Sequence, residues 1–374
     1  MKKILLLVPS LGIGGQERIA VNTAEILSTN YCVELAVFQS KDTEYKATCN
    51  TYNFNLPATN NYAMRFIRQI QRAVRLLRLC QRNQYDCIFS FGATANLTNI
   101  IANIFYKGKT IVSIHGFREV HKSCVNNIIF RRATSVICIS QEMQYQLQKL
   151  YPTLRNTVVI ENGYDTSRYH FDCNKHFKNT QPSLVSMGRL TEVKGFDRLI
   201  RAFALAKKEV PNLTLTIMGT GELEAELNAI AQQAHVLQDV HFLGYISDPY
   251  PELRKYDIYV LASRNEGFPN ALIEALGSQL AVISVDCLSG PREILSENYM
   301  PVPVKGIEYR EYGVLVENAS DDLVDILLAQ AIINLVRNTD AVRNYQEIGV
   351  VRSKDFSIQL YGEKIKRLFA KMNL

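Results

Sequence analysis

Glu266-Gly-Phe-Pro-Asn-Ala-Leu-Ile-Glu274 follows an apolar run, Ile258 to Ala262, that reads as a buried strand. Pro269 sits where a first helical turn tolerates proline, so a helix is expected to begin near Pro269-Asn270. Glu266 then falls in the loop at the carboxyl end of the strand, and Glu274 about one turn into the helix. A loop carboxylate can accept hydrogen bonds from sugar hydroxyls, and the second can hold a ribose diol. Backbone N–H groups around Phe268, Asn270 and Ala271, at the helix start, can face a diphosphate. Two surface glutamates flanking an ordinary loop would give the same letters, so the rest of the chain has to decide.

Upstream, Ser186-Met-Gly-Arg189-Leu-Thr-Glu-Val-Lys194-Gly195 follows another apolar strand, Ser183 to Met187. It sets two cations of different reach beside a glycine-containing loop. Arginine can bind a diphosphate bidentately and lysine can approach it as a point charge. With Arg189, Lys194 and the pair Glu266/Glu274 in this order and spacing, the chain resembles the retaining glycosyltransferases of family 4, with their Glu-x7-Glu signature and two-domain GT-B architecture. The resemblance runs from the Gly14-Gly15 loop to the terminal helix. It implies an α/β fold of two Rossmann-like, doubly wound domains facing a central cleft.

The bulk composition agrees with that class. The chain has 374 residues, 47% hydrophobic and 21% charged, which leaves room for two domains with separate cores. No apolar run approaches the roughly 18 to 20 residues of a spanning helix, and the start reads as a first strand rather than a signal peptide. Eight cysteines without a Cys-x-x-Cys pair or a zinc-type cluster point to a reduced, cytoplasmic setting. The charge is uneven. Residues 1–170 carry 20 Lys+Arg against 10 Asp+Glu, and the remainder 22 against 26, so the first half is expected to meet something anionic.

Short apolar strands alternate with amphipathic stretches, the pattern of parallel sheets. Strands are expected at 3–9, 32–38, 86–90, 110–114, 134–139 and 157–160, and again at 183–187, 213–218, 239–242, 257–262, 281–285 and 312–316. Polar residues 162–181 read as the linker. That gives an acceptor-side domain over 1–165 and a nucleotide-sugar-binding domain over 180–355. The last stretch, 356–374, is amphipathic through Leu360, Ile365, Leu368 and Phe369. The resemblance implies that it packs back on the first domain.

In the first half, Leu11-Gly12-Ile-Gly14-Gly15-Gln-Glu-Arg18 follows a strand and opens a helix near Gln16. Its spacing is neither a dinucleotide fingerprint nor a P-loop. It resembles the family's Gly-Gly loop, which implies that Gly14 and Gly15 abut the donor phosphate and the acceptor. His115 ends the strand 110–114. The resemblance implies a contact with the donor sugar, whereas His121, six residues on, reads as loop decoration. Arg65, Arg68, Arg72, Arg75, Arg78 and Arg82 recur at helical spacing, so one helix is expected to carry all six on one face. That face reads either as solvated or as meeting anionic lipid headgroups or a lipid diphosphate. No interleaved aromatics or recognition module suggest nucleic acid.

In the second half, Gly219-Thr-Gly221-Glu222 marks either a ligand-side turn at Gly219 or a plain strand-to-helix turn. Phe242-Leu-Gly244-Tyr245-Ile246 resembles the family's base-binding segment, which implies main-chain contacts from Tyr245 and Ile246 to the nucleobase. Ser289-Gly290-Pro291-Arg292-Glu293 resembles members that use UDP-linked galactose-type or N-acetylhexosamine sugars. Arg292 could equally be a helix-start residue paired with Glu293.

The implied activity is transfer of a hexose or N-acetylhexosamine from a UDP-sugar, with retention, to a lipid-diphosphate-linked saccharide in surface polysaccharide synthesis. The expected location is cytoplasmic, peripheral on the membrane face. No Asp-x-Asp lies between apolar strands, so no metal or other cofactor is expected. Competing readings are transfer to a soluble acceptor, a sugar-nucleotide epimerase, and a non-enzymatic sugar- or lipid-binding protein. The Arg/Lys/Glu/Glu set argues against the last.

Overall fold

A computed structural model describes residues 1–12, 14–40, 45–173, 175, 177 and 180–374. The chain packs into two units, Met1–Tyr164 with Ile358–Leu374, and Asp165–Ser357.

The first unit runs β1 (Lys3–Val8), α1 (Gly15–Ser28), β2 (Cys32–Val37), β3 (Thr51–Asn53), α2 (Tyr62–Asn83), β4 (Cys87–Phe91), α3 (Ala93–Tyr106), β5 (Lys109–Ile114), α4 (Cys124–Arg132), β6 (Ser135–Cys138), α5 (Gln141–Leu150) and β7 (Thr157–Val159). Its sheet has the order β3-β2-β1-β4-β5-β6-β7, with every pairing parallel. In β1, Ile4, Leu6 and Val8 enter the core under α1, while Leu5 and Leu7 enter the core under α2 and α3. Burial on both faces is why the strand reads as an unbroken apolar run.

The second unit runs β8 (Ser183–Met187), α6 (Phe196–Glu209), β9 (Thr214–Met218), α7 (Glu224–Gln233), β10 (Val240–Gly244), α8 (Tyr250–Leu253), β11 (Ile258–Leu261), α9 (Asn270–Gly277), β12 (Ala281–Val285), α10 (Pro291–Leu295), β13 (Ile307–Arg310), β14 (Gly313–Val316), α11 (Asp321–Arg337) and α12 (Thr339–Ser353). The sheet order is β10-β9-β8-β11-β12-β14-β13, with β13 antiparallel at the edge. Strands β3 and β13 escape the sequence reading. Both are short, polar edge strands, so neither carries an apolar run.

Two corrections concern the boundaries and the basic helix. The segment expected as linker, 162–181, belongs from Asp165 onward to the second unit, although its residues 174, 176, 178 and 179 lie outside the described residues. Arg168 forks onto Asp248 at 3.0 and 2.8 Å, Tyr169 covers Gly277, and the Asp172 amide donates to Gln279 Oε1 at 2.9 Å. Composition cannot distinguish a free linker from one tied down by such contacts. On α2 the six arginines do not share one exposed face. Arg72 turns inward, donates to Leu56 O at 3.1 and 2.6 Å and stacks 4.4 Å from the Phe38 ring centroid. Arg68 is half-buried and bonds Pro57 O, which leaves Arg65, Arg75, Arg78 and Arg82 exposed.

The terminal helix α13 (Ile358–Lys371) is part of the first unit's core. Ile365, Leu368 and Phe369 are buried there, and Tyr361 Oη lies 2.6 Å from Thr23 Oγ1 on α1. Leu360, read as part of the same apolar face, is instead exposed.

Candidate active site

In the second unit the strand order reverses between β8 and β11, which are neighbours although β9 and β10 lie between them in sequence. Ligands of open α/β sheets bind outside the carboxyl ends of the strands at such a switch point. The loops after β8 and β11 carry the residues read above as a diphosphate and sugar site. After β8 the chain makes a short 3-10 turn, Glu192–Lys194, then Gly195 at φ +65° and α6. A Cβ on Gly195 would stand 2.1 Å from Ala262 O, so only glycine lets the two loops lie this close.

Across that contact Lys194 Nζ meets Glu266 Oε1 at 2.6 Å, and Ser263 Oγ donates to the same oxygen at 2.6 Å. Ser263 was not read from the sequence, though its place three residues before Glu266 was the available signal. Arg189 lies on the same turn with an exposed side chain that makes no hydrogen bond or ion pair among the described residues. The β12–α10 loop closes on the other side. The Glu266 amide donates to Leu288 O at 2.9 Å, the Ser289 amide returns a 2.9 Å bond to Glu266 O, and Ser289 Oγ donates to Gly267 O at 2.5 Å. Helix α9 begins at Asn270 after Pro269, with Phe268 buried, Ala271 half-buried in its first turn and Glu274 one turn in.

Gly219 has a packing reason for its identity. Its φ is +138°, a Cβ would fall 1.8 Å from Gly188 O, and its amide donates to Gly244 O at 2.7 Å. The ends of β8, β9 and β10 therefore interlock by backbone. Tyr245 is exposed and Ile246 half-buried just beyond β10. Arg292 opens α10 beside Glu293. It is buried, with Nε donating to Asp286 Oδ1 at 2.7 Å and Nη1 to Met300 O at 3.2 Å. The guanidinium thus anchors its own loop from inside.

In the first unit Gly14 and Gly15 cap and open α1, at the switch point between β1 and β4. Gln16, which the sequence left without a role, spans that point by donating to Phe91 O at 3.1 Å. His115 follows β5, with Nε2 2.7 Å from Ser113 Oγ and its ring 5.7 Å from that of Phe91. Burial pushes its pKa down to about 3, so it is a neutral hydrogen-bonding group at pH 7. Glu119 was missed. One of its oxygens accepts the amides of His115 and Gly116 at 3.0 and 3.1 Å and fixes the turn that presents the histidine. Among the described residues no group of three or more His, Cys, Asp or Glu side chains could hold a metal ion.

Residues 171–348 match the model "Glycosyl transferases group 1", and residues 13–168 match "Glycosyltransferase Family 4". The chain belongs to the family-4 glycosyltransferases of GT-B type. Among its relatives is the N-acetylgalactosamine-N,N'-diacetylbacillosaminyl-diphospho-undecaprenol 4-alpha-N-acetylgalactosaminyltransferase of Campylobacter jejuni, 26% identical over 85% of this chain and 86% of that one. An amylovoran biosynthesis glycosyltransferase of Erwinia amylovora is 25% identical over 97% and 98%. The crystal structure of Anabaena HepE in complex with UDP superposes with TM-score 0.75 at 18% identity, covering 99% of this chain and all of HepE.

Burial pushes the Glu119 carboxyl up from 4.5 to about 7, against the two amide bonds that pull it down. The folded state therefore holds this proton more tightly than the unfolded chain, and the group's contribution to stability falls as pH rises from about 4.5 to about 7. Glu119→Gln keeps the amide acceptor and removes the titration. Urea unfolding at pH 5 and pH 8 should show the variant gaining on the parent by roughly 2–3 kcal/mol across that range. Parallel pH dependences would refute the assignment.

Proposed function

We propose that this glycosyltransferase is a retaining, metal-independent enzyme. It moves a hexose or N-acetylhexosamine from a UDP-sugar to a hydroxyl of a lipid-diphosphate-linked saccharide in surface polysaccharide synthesis. The observation that carries the reading is the Lys194–Glu266 pair at the β8–β11 switch point, with Arg189 exposed on the same turn. As the bond from the anomeric carbon to UDP breaks, its electron pair goes to the diphosphate oxygen. Lys194 and Arg189, with the amides that open α9 around Phe268, Asn270 and Ala271, stabilise that charge. The acceptor oxygen attacks the same face of the sugar, and its proton passes to the departing phosphate, giving UDP and the new glycoside. Glu266 orients sugar hydroxyls, Glu274 holds the ribose, and Tyr245 and Ile246 meet the base through their main chain. In the first unit Gly14 and Gly15 open α1 at its switch point, and neutral His115 offers a hydrogen bond to a sugar hydroxyl. The UDP bound to HepE and the diphospho-undecaprenol in the name of the Campylobacter relative support the donor and acceptor classes.

The acceptor reading also draws on α2. Beside the exposed Arg65, Arg75, Arg78 and Arg82, the helix exposes Tyr62, Phe66, Ile67, Ile70 and Val74, with Phe66 69% accessible. A basic stripe bordering an apolar one suits the headgroup region of an anionic bilayer, where each arginine is worth about 1 kcal/mol. No helix of the described residues is long and apolar enough to cross a membrane.

Three measurements test this reading. With UDP-glucose, UDP-galactose, UDP-N-acetylglucosamine and UDP-N-acetylgalactosamine as probes, Lys194→Ala should lower kcat/KM for the donor turned over by ~100-fold or more, about 2.7 kcal/mol. Activity within threefold of the parent in a folded variant would refute the role of Lys194. Initial rates in excess EDTA should equal those with magnesium or manganese, and a rate abolished by EDTA and restored by either ion would overturn metal independence. Binding to anionic vesicles should weaken steeply between 0.01 and 0.1 M salt, as the screening length shortens from about 30 to about 10 Å. Changing Arg75, Arg78 and Arg82 to Glu should abolish it while UDP binding persists. Unchanged vesicle binding by the triple variant would exclude the membrane role.

A further inference from the structure

Arg264 lies two residues before Glu266 and has no role in the reaction described above. Its backbone N–H donates to Val193 O at 2.8 Å. Its guanidinium reaches four acceptors: Glu192 O at 2.7 Å, Asp197 Oδ1 at 2.8 Å and Oδ2 at 2.7 Å, and Asp321 Oδ2 at 2.6 Å. Glu192 and Val193 are the two residues before Lys194. One side chain of the β11–α9 loop thus grips, through main chain and guanidinium together, the turn that carries Lys194. The acceptors are themselves anchored. Asp197 and Asp321 stand in the first turns of α6 and α11, where the helix dipole favours a negative charge. Arg201 bonds Asp197 at 3.1 Å and Asp325 at 2.5 Å, and Arg198 bonds Asp321 at 2.6 Å. Three arginines meet three aspartates in one network. Of the three, Arg264 carries it to the turn before Lys194 and to the loop before Glu266, and Arg198 reaches Arg264 O by way of Asn318.

We propose that Arg264 is a positioning residue for sugar transfer, clamping the Glu192–Lys194 turn to the Ser263–Glu266 loop so that Lys194 stays in register with Glu266 and with the leaving diphosphate. The inference rests on the reading of Lys194 as the group that stabilises the leaving diphosphate. Arginine is required for geometric reasons. A planar fork can serve a bidentate carboxylate, a second carboxylate and a carbonyl at once, and a lysine ammonium cannot. Because the clamp acts through Lys194, its loss is felt where the terminal phosphate of the leaving group gains charge and not where the nucleoside is held.

The test is a double-mutant cycle on the full chain with Arg264→Gln, Lys194→Ala and both together, and with Arg201→Gln as a control that weakens the same network away from the loops. The readouts are kcat with the UDP-sugar probe turned over, Kd for UMP by calorimetry, and the urea midpoint. Arg264→Gln should lower kcat by ~30-fold or more while Kd for UMP moves less than about threefold, and should cost less than about threefold in the Lys194→Ala background. Arg201→Gln should hold kcat within about twofold at a comparable urea midpoint. Should Arg264→Gln not fold, Arg264→Lys, which keeps the charge and loses the fork, carries the same cycle. An equal loss in both backgrounds, or an equal loss from Arg201→Gln, would overturn the proposal. If Lys194→Ala alone leaves kcat unchanged, it is the leaving-group reading that fails, and the clamp with it.

Discussion

Lys194 and Glu266 stand 72 residues apart in sequence and 2.6 Å apart in space, and much of the second unit is arranged to keep them there. The pair sits where the strand order reverses, between β8 and β11, so both partners arrive on loops rather than on strands. Loops hold a side chain in place only if their backbones are themselves held. Here that comes from close approach without side chains, Gly195 against Ala262 and Gly219 against Gly188, and from the two amide bonds between the Glu266 and Ser289 segments. The glutamate side chain is only 9% exposed, which strengthens its attraction to the ammonium and raises the cost of leaving either charge alone.

The electrostatics around the pair are layered. Beneath the loops, burial works to raise the Asp197 carboxyl, yet the Arg264 and Arg201 guanidiniums outweigh it and hold it down at about 2. Asp197 is therefore charged at any pH at which the enzyme would work. The buried Arg292–Asp286 pair does the same for the β12–α10 loop, with Asp286 Oδ2 also accepting the Val304 amide at 2.9 Å. Removing one partner of such a buried pair costs about 3–5 kcal/mol, because the other charge is left without compensation. The exposed Arg189, by contrast, spends nothing on structure and is open to a ligand.

The first unit follows the same plan with different chemistry. Its switch point is spanned by Gln16 rather than by an ion pair, and its histidine is kept neutral by burial. Helix α13 returns to the first unit because Ile365, Leu368 and Phe369 fill a core that α1 and β1 leave open. On α2 the arginines divide between structure and surface. Arg72 closes the hydrogen-bonding demand of Leu56 O and lies over Phe38, while the others stay at the surface or, like Arg68, bond a neighbouring carbonyl.

The strands were legible because parallel strands buried on both faces must be apolar throughout, as Ile4 to Val8 and Ile258 to Leu261 are. The loop motifs were legible because glycine, proline and charged residues at the end of an apolar run have few other uses. Sequence by itself therefore determined the two-unit α/β fold, the family and the loops that carry Arg189, Lys194, Glu266 and Glu274. It could not show where a long side chain ends. Arg72 and Arg75 differ by three positions on one helix, yet one is buried and the other exposed, because helical spacing defines an arc and only the neighbouring Phe38 and Leu56 decide which edge of it is covered. The pairing of Lys194 with Glu266, the inward turn of Arg292 and the grip of Arg264 on the Lys194 turn were decided by tertiary structure alone. Each joins segments that the chain brings together only once the sheet has formed, and a polar side chain's partner is set by distances of about 3 Å that no local pattern encodes.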